Sequence, residues 1–186
     1  MSEAKDMVSV LTKDHEEIKE YFRKIESATD AKSRRDAADE LTAEVARHSV
    51  AEEMYLYPAA RKVLPNGDQL IDEEIEEHSE VEELLKQWEG LSGDDPEFMA
   101  TFRKIKEGLL HHIDEEEEPK LFPEMQAALS TEEQHELGEK IVKAKKLAPT
   151  RPHPSAPDEP PMNKVMGVPT GIIDRIRDAM SGRSTG

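Results

Sequence analysis

His48-Ser49-Val50-Ala51-Glu52-Glu53 and His112-Ile113-Asp114-Glu115-Glu116-Glu117 are two versions of one phrase. The first runs on to Leu56-Tyr57-Pro58 and the second to Leu121-Phe122-Pro123. In each, a glutamate stands four residues after the histidine, Glu52 in one and Glu116 in the other. On an α-helix, residues i and i+4 share a face one turn apart. Each pair can therefore present a nitrogen and an oxygen to the same small volume. A further histidine precedes each phrase: His15 lies 33 residues before His48, and His78 lies 34 residues before His112. Asp14-His15-Glu16-Glu17-Ile18 is likewise echoed by Glu77-His78-Ser79-Glu80-Val81. Two copies are too few for a solenoid, and two helical hairpins packed together is the better reading.

The rest of the chain supports helices throughout. Strand signals are nearly absent, while the helical period recurs. Four segments are expected near 5–28, 33–63, 69–90 and 96–118. Their apolar stripes carry Leu11, His15, Ile18, Phe22 and Ile25; then Leu41, Val45, His48, Glu52, Tyr55 and Ala59; then Glu74, His78, Val81 and Leu85; then Phe98, Phe102, Ile105, Leu109, His112 and Glu116. Leu64 to Asp68 and Gly90 to Pro96 read as the breaks. Short connections favour antiparallel neighbours, so the fold class is all-α: an up-down-up-down four-helix bundle. A fifth helix is expected from a capping box at Ser130 and Glu133 to about Lys146. The bundle unit is thus 1–147. Seven of the twelve prolines fall in 148–170, which reads as an extended linker. Residues 171–186 form a short amphipathic segment expected to dock on the bundle.

Composition narrows the function. A net charge of −17 repels nucleic acid. Such an acidic surface most often serves solubility, although it also attracts cations. No apolar run approaches the roughly 20 residues of a membrane span, and Met1 is followed by polar residues, so neither an anchor nor a signal peptide is expected. The absence of cysteine excludes disulfides, thiolate metal sites and thiol catalysis, and it fits a cytoplasmic protein.

Four inward histidines, two with a glutamate one turn away, are costly to bury without a strong partner: about 1–3 kcal/mol for each polar group. A cation removes that cost. The expected metal ligands are His15, His48, Glu52, His78, His112 and Glu116. Imidazole with carboxylate suits iron, zinc, copper, manganese or nickel. Six ligands without sulfur are too many for one tetrahedral zinc. Two ions bridged by two carboxylates use them all and leave open positions, and iron is the natural choice for chemistry there. His112 is preferred to His111 because it stays on the stripe of Ile105 and Leu109, although His111 and Glu115 have the same spacing. His135 and His153 lie off the stripe.

The phrases around His15, His48, His78 and His112 resemble those of the hemerythrin HHE cation-binding family, and within it the bacterial hemerythrin-like proteins. The resemblance covers roughly residues 5–125, and the tail from Thr150 to Arg183 is similar to the ending of actinobacterial members. It implies a four-helix bundle around two iron ions, oxo- or hydroxo-bridged. It also implies reaction with hydrogen peroxide, oxygen or nitric oxide, or a binding or sensing module for oxygen, nitric oxide or iron. Catalase- or peroxidase-like detoxification of peroxide is the favoured expectation.

The chain departs from the oxygen carriers of that family, which use a fifth histidine. Glu74 stands where that histidine would be and is a candidate ligand or hydrogen-bond acceptor for one. Tyr55, on the stripe of His48 and Glu52, is a second candidate, since a phenolate can bind ferric iron. Tyr57 is expected to face elsewhere. Leu121 is nine residues after His112, whereas Leu56 is eight after His48. The extra residue accompanies Pro119, and a bulge or kink is expected just beyond the site.

Overall fold

The structure is a computed structural model and describes residues 6–148. The linker and the C-terminal segment expected in 148–186 lie outside the described residues, apart from Ala148. Helix α1 spans Met7–Ser27. Helix α2, Ala31–Ala51, passes into a π-helical turn, Glu52–Leu56, and on into α3, Tyr57–Val63, so that one rod runs over 31–63. Helix α4 is Gly67–Glu89. Helix α5, Phe98–His111, passes through a longer π segment, His112–Leu121, into α6, Phe122–Ala128. Helix α7 is Thr131–Lys145. The four rods make an antiparallel four-helix bundle, and α7 is the extra helix, laid across α1 and α2.

The helix starts follow from local chemistry. Asp6 accepts a hydrogen bond from the Ser9 N–H, and Asp30 accepts one from the Ser33 N–H. Each satisfies a donor that the first turn leaves unpaired. Ser130 and Glu133 form the reciprocal capping box. Between rods, Gly93 lies so close to the backbone of Ala31 that a Cβ there would collide with it. That close approach is what this position requires of glycine.

The fourth rod does not stop near residue 118 as its sequence suggests; it continues to Ala128. Proline breaks an α-helix because it lacks an N–H and its ring meets the carbonyl four residues back. In a π turn the hydrogen bond spans five residues, and the widened backbone accommodates the defect. Pro119 lies inside the second π segment, and Pro58 and Pro123 each follow a π segment within two residues. The bonding shows the shift directly: the Tyr57 N–H donates to the Glu52 carbonyl and the Phe122 N–H to the Glu117 carbonyl, five residues back in both cases. The bulge expected just beyond the site thus begins at His112, within it.

Two apolar layers fill the bundle. One holds Ile18, Phe22, Leu41, Val45, Trp88, Phe98, Phe102 and Ile105. The other holds Met7, Leu11, Leu56, Tyr57, Leu121, Phe122, Met125 and Ile141, the last of these from α7. Between the layers lies a belt of buried polar side chains: Asp14, His15, His48, Glu52, Glu74, His112 and Glu117. No described helix is long and apolar enough to cross a membrane.

Candidate metal centre

Each rod contributes one histidine to the belt. His15 comes from the middle of α1, His48 from the last turn of α2, His78 from α4, and His112 from the start of the second π segment. They form two pairs. The rings of His15 and His48 meet edge-on with centroids 4.9 Å apart, and those of His78 and His112 lie 4.7 Å apart. The Nε2 atoms of His78 and His112 are 3.2 Å from each other, both aimed at the same volume.

Two carboxylates stand between the pairs. Glu52 is fully buried; its Oε1 is 3.1 Å from His48 Nε2 and its Oε2 3.3 Å from His78 Nε2. One carboxylate thus faces one histidine of each pair. Glu117, also fully buried, brings Oε2 to 3.1 Å from His15 Nε2, 3.5 Å from His112 Nε2 and 4.0 Å from His48 Nε2. Glu116, expected in this place, points outward, where Lys120 holds its carboxylate at 2.6 Å. The cause is the π segment. With the turn widened, the residue on the face of His112 is five places on, Glu117, rather than four. His15, His48, Glu52, His78 and His112 are where the helical period placed them.

The same geometry reverses the two tyrosines. Counting from His48 by four to Glu52 and by five across the first π turn leads to Tyr57. Tyr57 is fully buried, and its hydroxyl lies 3.0 Å from His78 Nε2. Tyr55 is partly buried and packs against the apolar layer instead. Counting by fives from His112 leads through Glu117 to Phe122, whose ring stacks on His15 with an interplanar angle of 4°. Tyr57 and Phe122 are therefore counterparts, one polar and one apolar, over opposite pairs.

The outward nitrogen of every histidine meets a second carboxylate. Nδ1 of His15 is 2.8 Å from Glu118, of His78 3.0 Å from Glu53, of His112 2.9 Å from Glu77, and of His48 3.4 Å from Asp14. An acceptor at Nδ1 fixes the ring and leaves the Nε2 lone pair pointing inward, which is how metal-bound histidines are held. Glu74 is buried with Oε2 3.0 Å from His112 Nδ1, but that oxygen is not in hydrogen-bonding line. Glu77 takes that position. His111 is half exposed and lies between Glu77 and Glu115.

This arrangement fits a cation better than it fits its own side chains. His48 Nε2, both oxygens of Glu52 and Oε1 of Glu117 are buried without a hydrogen bond, and unpaired buried groups of this kind are expensive. Burial opposes charge on His48, yet Glu52, Asp14 and Glu117 outweigh it and push the imidazole up to about 10. Desolvation likewise opposes charge on His78, whose side chain is 9% exposed, yet Glu52 and Glu53 push it up to about 9. Glu52 is buried too, but His48 and His78 hold its carboxyl well below the usual range. The two central carboxylates thus demand positive charge. Among the described residues, four groupings bring ligand atoms within 4.8 Å of one another: His15, His48, Glu52 and Glu117; Glu52, His78 and His112; Glu74, His112 and Glu117; and, without a histidine, Asp14, Glu17 and Glu44.

A four-helix bundle with a buried histidine–carboxylate belt of this kind is a metal-binding protein. The profile of the hemerythrin HHE cation binding domain matches residues 6–125, and the chain belongs to that family. A hemerythrin-like protein of Schizosaccharomyces pombe is 34% identical over 169 residues, 90% of this chain and 83% of its own length. A DNA nickase of Nostoc is 27% identical over 136 residues; the match covers 73% of this chain but 38% of the nickase. The crystal structure of a hemerythrin HHE cation binding domain-containing protein from Mycobacterium kansasii superposes with a TM-score of 0.67. It is 28% identical, and the match covers 76% of this chain and 86% of that one.

Proposed function

We propose that the belt holds two iron ions and that the loaded protein reacts with hydrogen peroxide, as a catalase- or peroxidase-like detoxifying enzyme. The observation that carries the reading is Glu52, one carboxylate placed between two histidine pairs, with Glu117 beside it. His15 and His48 would hold one ion, His78 and His112 the other, and Glu52 and Glu117 both. Two adjacent irons supply electron exchange with oxygen species. The chain's own residues do the rest. Glu118, Asp14, Glu53 and Glu77 orient the imidazoles through Nδ1. Tyr57 is pushed well above its usual range by burial and by the charge of Glu52 and Glu117, so its hydroxyl keeps its proton beside His78. The proton-bearing Tyr57 hydroxyl is therefore on the His78–His112 side, and the Phe122 ring takes the corresponding place over His15.

A carboxylate-rich site stabilises ferric iron and disfavours reversible oxygen carriage. No role on DNA is carried over from the nickase, because a net charge of −17 repels phosphate. The test is oxygen evolution from hydrogen peroxide by the iron-loaded protein, followed beside nitric oxide and oxygen binding. Catalytic oxygen evolution, abolished in His78→Ala and His15→Ala alike, supports the enzyme. Stoichiometric, reversible binding of nitric oxide or oxygen without turnover would replace it with a binding or sensing module.

A further inference from the structure

The fifth helix reaches the metal belt through Lys145. Lys145, in the last turn of α7, donates to Asp14 and also lies 2.9 Å from Glu44. Asp14 in turn faces His48 Nδ1 at 3.4 Å. A chain of contacts therefore runs from α7 through α1 to a histidine of α2, joining residues 131 positions apart in sequence. Arg47 closes the far side by pairing with Glu44 at 2.7 Å.

Of the four carboxylates behind the histidines, Asp14 is the most enclosed. Its side chain is 4% exposed, against 34% for Glu118, 39% for Glu53 and 24% for Glu77. The other three are partly open to solvent, which can screen their charge. A carboxylate as enclosed as Asp14 does, because leaving one partner of a buried ion pair alone is strongly unfavourable. Lys145 supplies that charge, with its own side chain 18% exposed.

We propose that Lys145 is a positioning residue for the metal centre: by holding Asp14 against His48 it makes α7 a clamp on the His15–His48 half of the site. Without Lys145, Asp14 and its neighbour Glu44 repel each other and draw in water, and His48 loses the acceptor that fixes its ring. Metal then leaves that half of the site faster, while the His78–His112 half, backed by Glu53 and Glu77, is unaffected. This inference rests on the proposed metal site but makes a separate demand of it.

The probe is ferrous iron, loaded anaerobically into the full chain and withdrawn by an excess of chelator. Lys145→Met should release one iron of two about 10-fold faster than wild type, in line with the effect of losing a histidine's outer partner. Asp14→Asn should do the same, and the double variant should be no worse than either single one, since both break one chain of contacts. Lys145→Arg should restore slow release. Lys143→Met, on the exposed side of the same helix, should behave as wild type. Thermal unfolding of each metal-free variant separates a general loosening of α7 from a local effect. Equal release from wild type and Lys145→Met overturns the proposal, as does additivity of the two variants. A wild type that takes up no iron fails the metal reading itself, a result distinct from either.

Discussion

Exchanging Glu117 and Glu116 for glutamine, one at a time, should give opposite results although the two are neighbours. Glu117 is fully buried, with Oε2 3.1 Å from His15 Nε2 and 3.5 Å from His112 Nε2. In the proposed centre Glu117 is a ligand, and a ligand matters more than an outer partner, whose loss typically costs 10–100-fold in metal affinity. Glu117→Gln should therefore weaken binding by about 100-fold or more, equivalent to about 3 kcal/mol at 1.4 kcal/mol per factor of ten. Glutamine keeps the size of the side chain, so packing is preserved and the loss reports charge and coordination. Glu116→Gln removes only a contact with the exposed Lys120 and should leave metal affinity within about twofold. Competition against a chromophoric chelator measures both. If Glu116→Gln loses the metal and Glu117→Gln keeps it, the π segment from His112 to Leu121 is wrongly placed, and the whole face from His112 to Phe122 turns with it.

Tyr57→Phe should alter the visible spectrum or the peroxide reactivity of the iron-loaded protein, while Tyr55→Phe should alter neither; the reverse pattern would contradict the first π turn. Burial opposes charge on His48 and His78, but their carboxylate neighbours raise them to about 10 and about 9, so in the metal-free protein each contributes stability that is complete below its ordinary value near 6.5. That stability is lost as pH rises through 9 to 10, whereas metal, which competes with the same protons, should bind more tightly over that rise. Thermal midpoints of the metal-free and loaded proteins should therefore separate as pH increases, and a constant gap would refute the linkage. Gly93→Ala forces a Cβ onto the backbone of Ala31 and should cost about 2 kcal/mol, lowering the thermal midpoint by about 5 °C. Because Gly93 lies at the turn between α4 and α5, metal content below the transition should be unchanged in that variant.

The fold was legible because its signal is redundant. Leu11, Ile18, Phe22 and Ile25 keep one helical face without interruption, and the same faces carry His15 and, on the neighbouring rods, His48 and His112. Five of the six residues expected at the site meet there for that reason. The sixth, Glu116, lies outside that cluster because the turn after His112 does not have α-helical period. From there the frame moves by one, which exchanges Glu116 for Glu117. The π turn after Glu52 likewise puts Tyr57 in the place expected for Tyr55. A signal was present in both places: Pro58 and Pro123 at corresponding positions, Pro119 in addition, and one extra residue in the second copy. The interior of an α-helix accommodates proline poorly and an extra residue shifts its frame, whereas a π turn ahead of Pro58 and Pro123 and around Pro119 absorbs both. The carboxylates behind the histidines were harder to see. Glu53, Glu77 and Glu118 lie within runs of glutamate whose members differ only in the direction they face. Lys145 belongs to a helix that the period of the bundle does not include.

The central claim is that two cations share Glu52 and Glu117. Metal content per chain after anaerobic loading with ferrous iron and removal of excess tests it most directly. Two irons per chain, falling together in Glu52→Gln, is the predicted result. One iron per chain, or two that survive the loss of Glu52, would contradict it.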